Sequence, residues 1–595
     1  MTATLVQGAL ADAASAGVLA SIDVHFAELL ARRGGLADPD AILAAALCAK
    51  AVRLEHVCCV LDEAGVGLLW RGEDGLDVPA PPDPGALRRA LAEATGVVEV
   101  VDEGASVDER GERPLVLSGP RAYLRRYALL EQVVADRLVA PQDLGVPEGT
   151  DWALLAHGMA ADPEQRAAVR QALCAPVSVI AGGPGTGKTT AIALLLTVAA
   201  DLVPPLTVAL AAPTGKAASR LDEAVREAAR HARDGTPGLG APHALTLHAL
   251  LGVGRDGIAR RHGFLDADVV VIDEASMVSL PLLAETLRRA RPETRVVLVG
   301  DPDQLASIEV GAVLSDVVSA AGGGGALVVS TLATSHRFGA GGGVAALAAA
   351  VREGSLRAVD EAVAAHETLA RLEPDPGRVG VVDVVVRRAI ELVEVARRGD
   401  AAGALDLVAS LGVLCAHKQG DGSTAWWGRT VERRLVELGV LRRRDADVVG
   451  RPLLVTRNDP LTGLTNGMTG VVVAHDEGPH VAFELGTLPL AAVAFAEPAW
   501  ALTIHKSQGS EFDEVVVSLP ESTSELLTRE LVYTAVTRAR RAVSLLSPTG
   551  SLEAALARRV ARASGLAARL RARGQSAAGG ADAGRAANGS TAPAT

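Results

Sequence analysis

The ten residues Ala181-Gly-Gly-Pro-Gly-Thr-Gly-Lys-Thr-Thr190 constrain this chain more than any other stretch. An apolar run, Val177 to Ile180, leads into them and another, Ala191 to Ala200, follows, which reads as strand, loop and helix. Gly182 to Thr189 fits the pattern GxxxxGK[ST]. In such a loop glycines let successive backbone N–H groups curl around a phosphate, the lysine reaches the β- and γ-phosphates, and the hydroxyl holds Mg²⁺. The following helix N-terminus adds a favourable dipole. Gly182, Gly183, Pro184, Gly185, Thr186, Gly187, Lys188, Thr189 and Thr190 are therefore candidate ATP-binding residues, with Lys188 catalytic and Thr189 a metal ligand. A glycine-rich turn is the bland alternative in a chain with 62 glycines, but it leaves the full pattern between a β-branched strand and an apolar helix unexplained. The loop alone does not say what work the nucleotide drives.

Other strand ends supply the rest of a nucleotide site. Four consecutive aliphatics, Val269 to Ile272, predict a buried parallel strand, and Asp273 and Glu274 emerge at its C-terminal end, where α/β folds place ligands. Asp273 is a candidate Mg²⁺ ligand and Glu274 a candidate base for the attacking water; a solvated helix cap is the simpler alternative. Val296 to Val299 runs into Gly300-Asp-Pro-Asp-Gln-Leu305 and puts Gln304 at a strand tip, placed to sense a γ-phosphate. Leu206 to Ala211 ends in Ala212-Pro-Thr-Gly-Lys-Ala-Ala-Ser219, which suits close approach to a phosphodiester backbone and equally makes an ordinary turn. Thr246-Leu-His-Ala-Leu-Leu-Gly252 is similar in kind, and Val253 to Phe264 reads as a short β-hairpin. Asp162-Pro-Glu-Gln165 has the chemistry of a helix start, so Gln165 either closes a capping box or reads adenine. Strands and intervening helices together predict a doubly wound nucleotide-binding domain.

At 595 residues the chain exceeds the ~250–300 that one core sustains, so several domains are expected. A second αβ pattern spans about 410 to 548, with short strands and turns between about 465 and 497 that read as a small β-barrel insertion. Between the two patterns, Ser335-His-Arg337 lies between two glycine runs, where the arginine either reaches across a cleft or is merely exposed. Residues 1 to about 110 read as mainly helical, without a catalytic constellation, and His56 beside Cys58 and Cys59 reads as a buried patch rather than a metal site. A strand, Pro114 to Leu117, then precedes a helix, Pro120 to Leu138, with Tyr123, Arg126, Tyr127 and Glu131 on one face, serving a partner surface or the junction with the next domain. After about 549 an alanine- and arginine-rich basic helix leads to an Ala/Gly/Ser tail that is expected to be disordered.

The formal charge of -13 rules out a basic field over the whole surface, so any nucleic-acid contact is confined to a local groove. Five cysteines without repeated CxxC spacing point to reduced thiols rather than zinc or an iron–sulfur cluster. Neither a signal-peptide pattern nor an apolar run of about 18 residues is present, and a cytoplasmic protein with no membrane contact is expected.

The ordered series PEQ, GGPGTGKTT, APTGKAA, TLHALLG, VIDEASM, GDPDQLAS, SHRF, TIHKSQGSEF and YTAVTRAR resembles superfamily 1 helicases of the RecD type over roughly residues 115 to 548. A weaker N-terminal pattern, including Asp23-Val-His-Phe26, resembles the α chain of exodeoxyribonuclease V, and the chain lacks the helix-hairpin-helix extension expected of longer, stand-alone RecD-like helicases. The resemblance implies an α/β fold of two RecA-like P-loop domains, 111–335 and 336–548, with a helical partner-docking domain at 1–110 and an SH3-like insertion. It implies the 5′ to 3′ DNA motor of a RecBCD-like complex in double-strand break repair and recombination, driven by ATP and Mg²⁺, with RecB-like and RecC-like partners and the nuclease on the RecB-like chain. Single-stranded and duplex-end DNA would be its substrates. By the same resemblance Gln165 contacts adenine, Gln304 couples the γ-phosphate to motion, and Arg337 and Arg538 close onto that phosphate from the second domain. DNA would be contacted by Pro213, Thr214, Lys216, Thr246 and His248 on one side and Asn466, Thr503, His505 and Lys506 on the other. At 2% aromatic residues a continuous base-stacking track is not available, so grip through phosphates and sugars is expected. A stand-alone helicase, a regulatory subunit restraining a partner nuclease, and an RNA translocase are the rival readings.

Overall fold

The computed structural model describes residues 10–72, 77–139, 144–145, 161–202, 205–231, 243–254, 263–307, 309–321, 327–334, 342–442, 449–459, 461–560 and 562–574. Ser335, His336 and Arg337, most of the hairpin expected at 253–264, and the tail beyond 574 lie outside the described residues.

The N-terminal region builds helices Ser21–Gly34, Pro39–Arg53, Glu63–Leu69 and Pro84–Glu93 beside a sheet of β1 (Cys59–Val60), β2 (Val98–Val101), β3 (Leu115–Ser118) and β4 (Arg121–Leu124), in the order β1-β4-β3-β2. The region is mainly helical as expected, but this sheet runs past residue 110 and corrects one expectation: the helix expected from Pro120 starts at Arg125. The Gly119-Pro120 turn is the cause, since it folds β4 back antiparallel onto β3 with Val116 opposite Tyr123.

Six parallel strands follow: β5 (Val177–Gly182), β6 (Val208–Ala212), β7 (Leu245–Thr246), β8 (Val269–Ile272), β9 (Arg295–Gly300) and β10 (Val328–Leu332), ordered β10-β5-β9-β8-β6-β7. Their near-continuous aliphatic sequence is explained by helices on both faces. Val179, Val270, Ile272, Val296 and Leu298 face the helices Arg125–Leu138 and Leu280–Arg289. Ile180, Val269, Val271, Val297 and Val299 pack instead with helices Pro163–Cys174 and Lys188–Asp201. Each such buried aliphatic contributes roughly 1.5–3 kcal/mol.

The second parallel sheet comprises β11 (Leu369–Leu372), β12 (Leu411–Cys415), β18 (Leu502–Thr503), β19 (Phe512–Ser518) and β20 (Ala539–Leu546), ordered β11-β20-β19-β12-β18. Between β12 and β18 the chain inserts an antiparallel sheet of β13 (Pro452–Val455), β14 (Thr469–Val473), β15 (His480–Phe483), β16 (Gly486–Pro489) and β17 (Ala496–Pro498), with its own core of Leu453, Val455, Val472, Val481 and Phe483. It begins earlier than residue 465, and among the described residues its end strands β16 and β17 are not paired to each other.

The basic helix expected after 549 is two pieces, Ser551–Ala557 and 566–574. The second crosses back onto the first half of the molecule, burying Leu566 and Leu570 against the helix Arg125–Leu138. Glu131 accepts hydrogen bonds from Ser564 Oγ at 2.9 Å and Gly565 N at 2.8 Å and pairs with buried Arg569 at 3.4 Å. His56 Nδ1 accepts the Ala563 N–H at 2.8 Å, the satisfied role of a core histidine. All five cysteines are free. Among the described residues no helix is long and apolar enough to cross a membrane.

Candidate functional site

The loop after β5 turns through Gly185 and Gly187, both at positive φ, which favours glycine, and a Cβ at Gly187 would also displace the Gln165 amide, 2.1 Å away. Gln165 is buried, closes a capping box with Asp162, and donates Nε2–H to Thr186 O at 3.4 Å. The cap and the loop contact are thus made by one side chain. Lys188 Nζ donates to Gly182 O and Gly183 O, each at 2.8 Å, holding the ammonium in the hollow of its own loop. Thr189 is exposed at the helix start.

β8 delivers Asp273 and Glu274 beside this loop. Desolvation, then the Glu274 charge, push the Asp273 carboxyl above the usual carboxylate range, while Lys188 draws it down. Glu274 adopts φ +51, a left-handed conformation costing a non-glycine residue about 1–3 kcal/mol, which re-aims the chain as it leaves the strand. Two half-buried carboxylates beside this loop have the donor chemistry of a Mg²⁺ site, and Thr189 supplies the hydroxyl such sites use.

β9 ends at Gly300, and Asp301 becomes the hub of a polar seam with the second α/β unit. Its Oδ2 accepts Gln304 Nε2–H at 3.0 Å and Tyr533 O–H at 3.1 Å. Gln304 Oε1 in turn accepts Arg538 Nη2–H at 2.8 Å. Arg538 is buried and also donates to Thr534 O at 3.2 Å and Ser510 O at 3.4 Å. Leu305 completes the seam, its N–H donating to Thr534 Oγ1 at 2.9 Å and its carbonyl accepting from Gln508 Nε2 at 3.2 Å. Beside the seam a cleft of about 590 Å³ is lined by Gly182, Gly183, Thr186, Asp301, Arg352 and Tyr533 among others. Asp301, Tyr533, Thr534 and Gln508 were not singled out from the sequence, although all four lie inside its motifs.

The residues expected to touch DNA divide. Lys216 donates to Ser510 Oγ at 2.7 Å and Thr469 Oγ1 at 3.3 Å, so the loop after β6 sits against the antiparallel sheet. Burial, with Arg220 and Arg538 nearby, lowers its pKa to about 8. Pro213 and Thr214 share that loop, where Thr214 Oγ1 caps Ala217 N at 3.2 Å. Across the seam, exposed Asn466 is pinned through its N–H to Asn458 Oδ1 at 2.7 Å. Thr503 is buried with Oγ1 accepting Lys506 N–H at 3.3 Å, Lys506 is ion-paired with Glu497, and burial lowers the pKa of half-buried His505. Thr246 caps the short helix Leu247–Leu251. His248 is not brought to this group: it lines a separate cleft of about 1110 Å³ with Phe26, Arg126 and Tyr127. Tyr123 and Glu131, expected on one face with Arg126 and Tyr127, are buried instead under the segment 562–574.

Comparison with known proteins finds similarity over most of the chain. Residues 15–123 match the family model described as RecBCD enzyme subunit RecD, N-terminal domain, residues 160–373 an AAA domain, and residues 498–546 a UvrD-like helicase C-terminal domain. The RecBCD enzyme subunit RecD of Mycolicibacterium smegmatis is 41% identical over 94% of this chain and 98% of its own length. That of Mycobacterium tuberculosis is 40% identical over 94% and 96%. The ATP-dependent RecD2 DNA helicase of Deinococcus radiodurans is 30% identical over 91% of this chain and 70% of its own.

Proposed function

The chain belongs to the RecD family, and on that premise we propose that it is an ATP-dependent DNA helicase, the 5′ to 3′ motor of a RecBCD-like helicase–nuclease in double-strand break repair and recombination. The observation that carries this reading is the seam itself, where Gln304 at the tip of β9 holds Arg538 of the second α/β unit at 2.8 Å beside the phosphate loop. RecB-like and RecC-like chains are the partners, the RecB-like chain bearing the nuclease, and the cytoplasm is the compartment.

ATP enters between the two units. Lys188 swings from the carbonyls of Gly182 and Gly183 to the β- and γ-phosphates, and the backbone N–H groups of the loop cradle the same oxygens. Thr189 and Asp273 would hold Mg²⁺, which would neutralise phosphate charge when bound. Glu274 orients the attacking water and takes its proton. Arg538, already within reach of Gln304, transfers from the amide oxygen to the γ-phosphate, with Arg337 as the second arginine. Gln304, released, reports the phosphate to the seam. Gln165 lies against the loop from the capping box and reads adenine.

Hydrolysis removes the acceptor that Arg538 closed on, and the units part. Motion along a strand follows if the two states differ in DNA affinity. Lys216, Pro213 and Thr214 grip from one side of the seam and Asn466, Thr503, His505 and Lys506 from the other, with Thr246 and His248 flanking.

The test is strand displacement with ATP and Mg²⁺ on substrates with a 5′ or a 3′ overhang, with and without RecB-like and RecC-like partners. Unwinding confined to 5′ overhangs supports the motor and its polarity. A stand-alone helicase would unwind without partners. ATP hydrolysis without unwinding in any combination would replace the motor with a regulatory nucleotide-binding subunit.

A further inference from the structure

The turn between β14 and β15 carries a cluster that the motor does not use. His475, Glu477 and His480 each offer a ligand atom, and these atoms lie within 4.8 Å of one another. The turn closes through Gly478, whose φ of +102 lets its N–H donate to His475 O at 3.0 Å. His475 is thereby folded over the first residue of β15, with the two imidazole centroids 4.0 Å apart.

The tautomer of His480 is fixed by its surroundings. It is buried, and its Nδ1 lies 2.9 Å from Gly478 O. A carbonyl oxygen only accepts, so Nδ1 carries the proton and Nε2 keeps its lone pair. A backbone carbonyl holding one ring nitrogen so that the other is free to ligate is the usual support of a metal-binding histidine. His475 and Glu477 are exposed and adjustable, and the one internal bond they share, Glu477 N–H to His475 Nδ1, is long at 3.3 Å.

We propose that His475, Glu477 and His480 form a three-ligand site for a divalent transition metal. Two imidazoles and one carboxylate suit Zn²⁺, whereas Mg²⁺ and Ca²⁺ take oxygen ligands. Tetrahedral Zn²⁺ needs ligand atoms roughly 3.4 Å apart, so the exposed His475 and Glu477 close by little over an ångström onto the buried His480, and water takes the fourth position. The turn is also anchored to the second α/β unit, since Ala474 N donates to Ala396 O at 2.9 Å at the end of helix Pro374–Arg397. A bound metal therefore stiffens the antiparallel sheet against that helix.

The probe is Co²⁺ added to the full chain, followed by its visible absorption and displaced by Zn²⁺. The wild type is expected to take up one Co²⁺ with a tetrahedral spectrum, insensitive to excess Mg²⁺. His475→Ala and Glu477→Gln, both at exposed positions, should each weaken binding by about tenfold or more while leaving Mg²⁺-dependent ATP hydrolysis unchanged. No uptake by the wild type, or the same spectrum and affinity in both variants, would overturn the site.

Discussion

Both α/β units place loops at the carboxyl ends of parallel strands, yet around Asp301 and Gln304 the side chains they bring to their shared seam are of opposite kind, while Leu305 N–H and Lys216 donate in the other direction at its margins. The first unit presents the phosphate loop together with acceptors, Asp301 and the Gln304 amide oxygen. The second presents donors, Tyr533 O–H, Arg538 and Gln508 Nε2. In the second unit the strand β12 opens onto Ala416-His417-Lys418-Gln419-Gly420, with no phosphate-loop pattern. On the proposed mechanism one sheet holds the nucleotide and the other senses it. The lesson is that a shared sheet architecture leaves the chemistry to loop residues.

That division can be broken from either side. Lys188→Ala, in the holding unit, should abolish ATP hydrolysis and unwinding together while leaving the thermal melt in place; ATP-driven translocation by this variant, followed on labelled DNA, would break the comparison at its root.

The strap 562–574 is the next test, because it ties the chain that leaves the second unit to the first. Arg569 and Glu131 are 2% and 0% exposed, and Arg569→Met leaves a buried carboxylate unpaired, a loss of about 3–5 kcal/mol by denaturant titration. The double variant Arg569→Met/Glu131→Leu should recover most of it. If the single variant is neutral, the strap is not what couples the two halves.

A smaller effect is expected at Tyr533. Its hydroxyl is one of two side-chain donors to Asp301 Oδ2, so Tyr533→Phe should cost about 1 kcal/mol at the seam, or roughly fivefold in ATP hydrolysis. Measurement of steady-state ATPase with and without DNA would separate this from a binding loss.

The smallest effect concerns pH. Lys216 has its pKa lowered to about 8, so it is charged below that pH and loses its charge as pH rises through it, before an ordinary lysine would. Affinity for single-stranded DNA should decline above about pH 8 in the wild type. Lys216→Met should be weaker throughout and lack the step, as fluorescence anisotropy would show.

Much of this was legible in the chain because parallel strands buried on both faces leave continuous aliphatic runs. Val269–Ile272 and Arg295–Gly300 were bounded to within a residue or two for that reason. Of the N-terminal sheet only β3 was, as Pro114 to Leu117, since β1 and β2 are two and four residues long and β4 hides in a helical pattern behind Gly119-Pro120. In the site, the sequence marked Gln304 and Arg538 but not that they touch. Nor did it mark Asp301 as their hub, because a contact between residues 234 positions apart leaves no local pattern. The strap was hidden differently: its alanine and arginine composition reads as a solvated helix, and only the buried Glu131 facing Arg569 reveals a docked one.

The most direct test of the divided seam is to measure ATP binding and single-turnover hydrolysis separately in Arg538→Ala, with Arg538→Lys as a fold control. If the second unit judges rather than holds, nucleotide affinity stays within a few-fold of wild type while hydrolysis falls by about 10³–10⁵, as loss of such an arginine does elsewhere. Hydrolysis at the wild-type rate, or a loss wholly accounted for by weaker binding, would contradict the account.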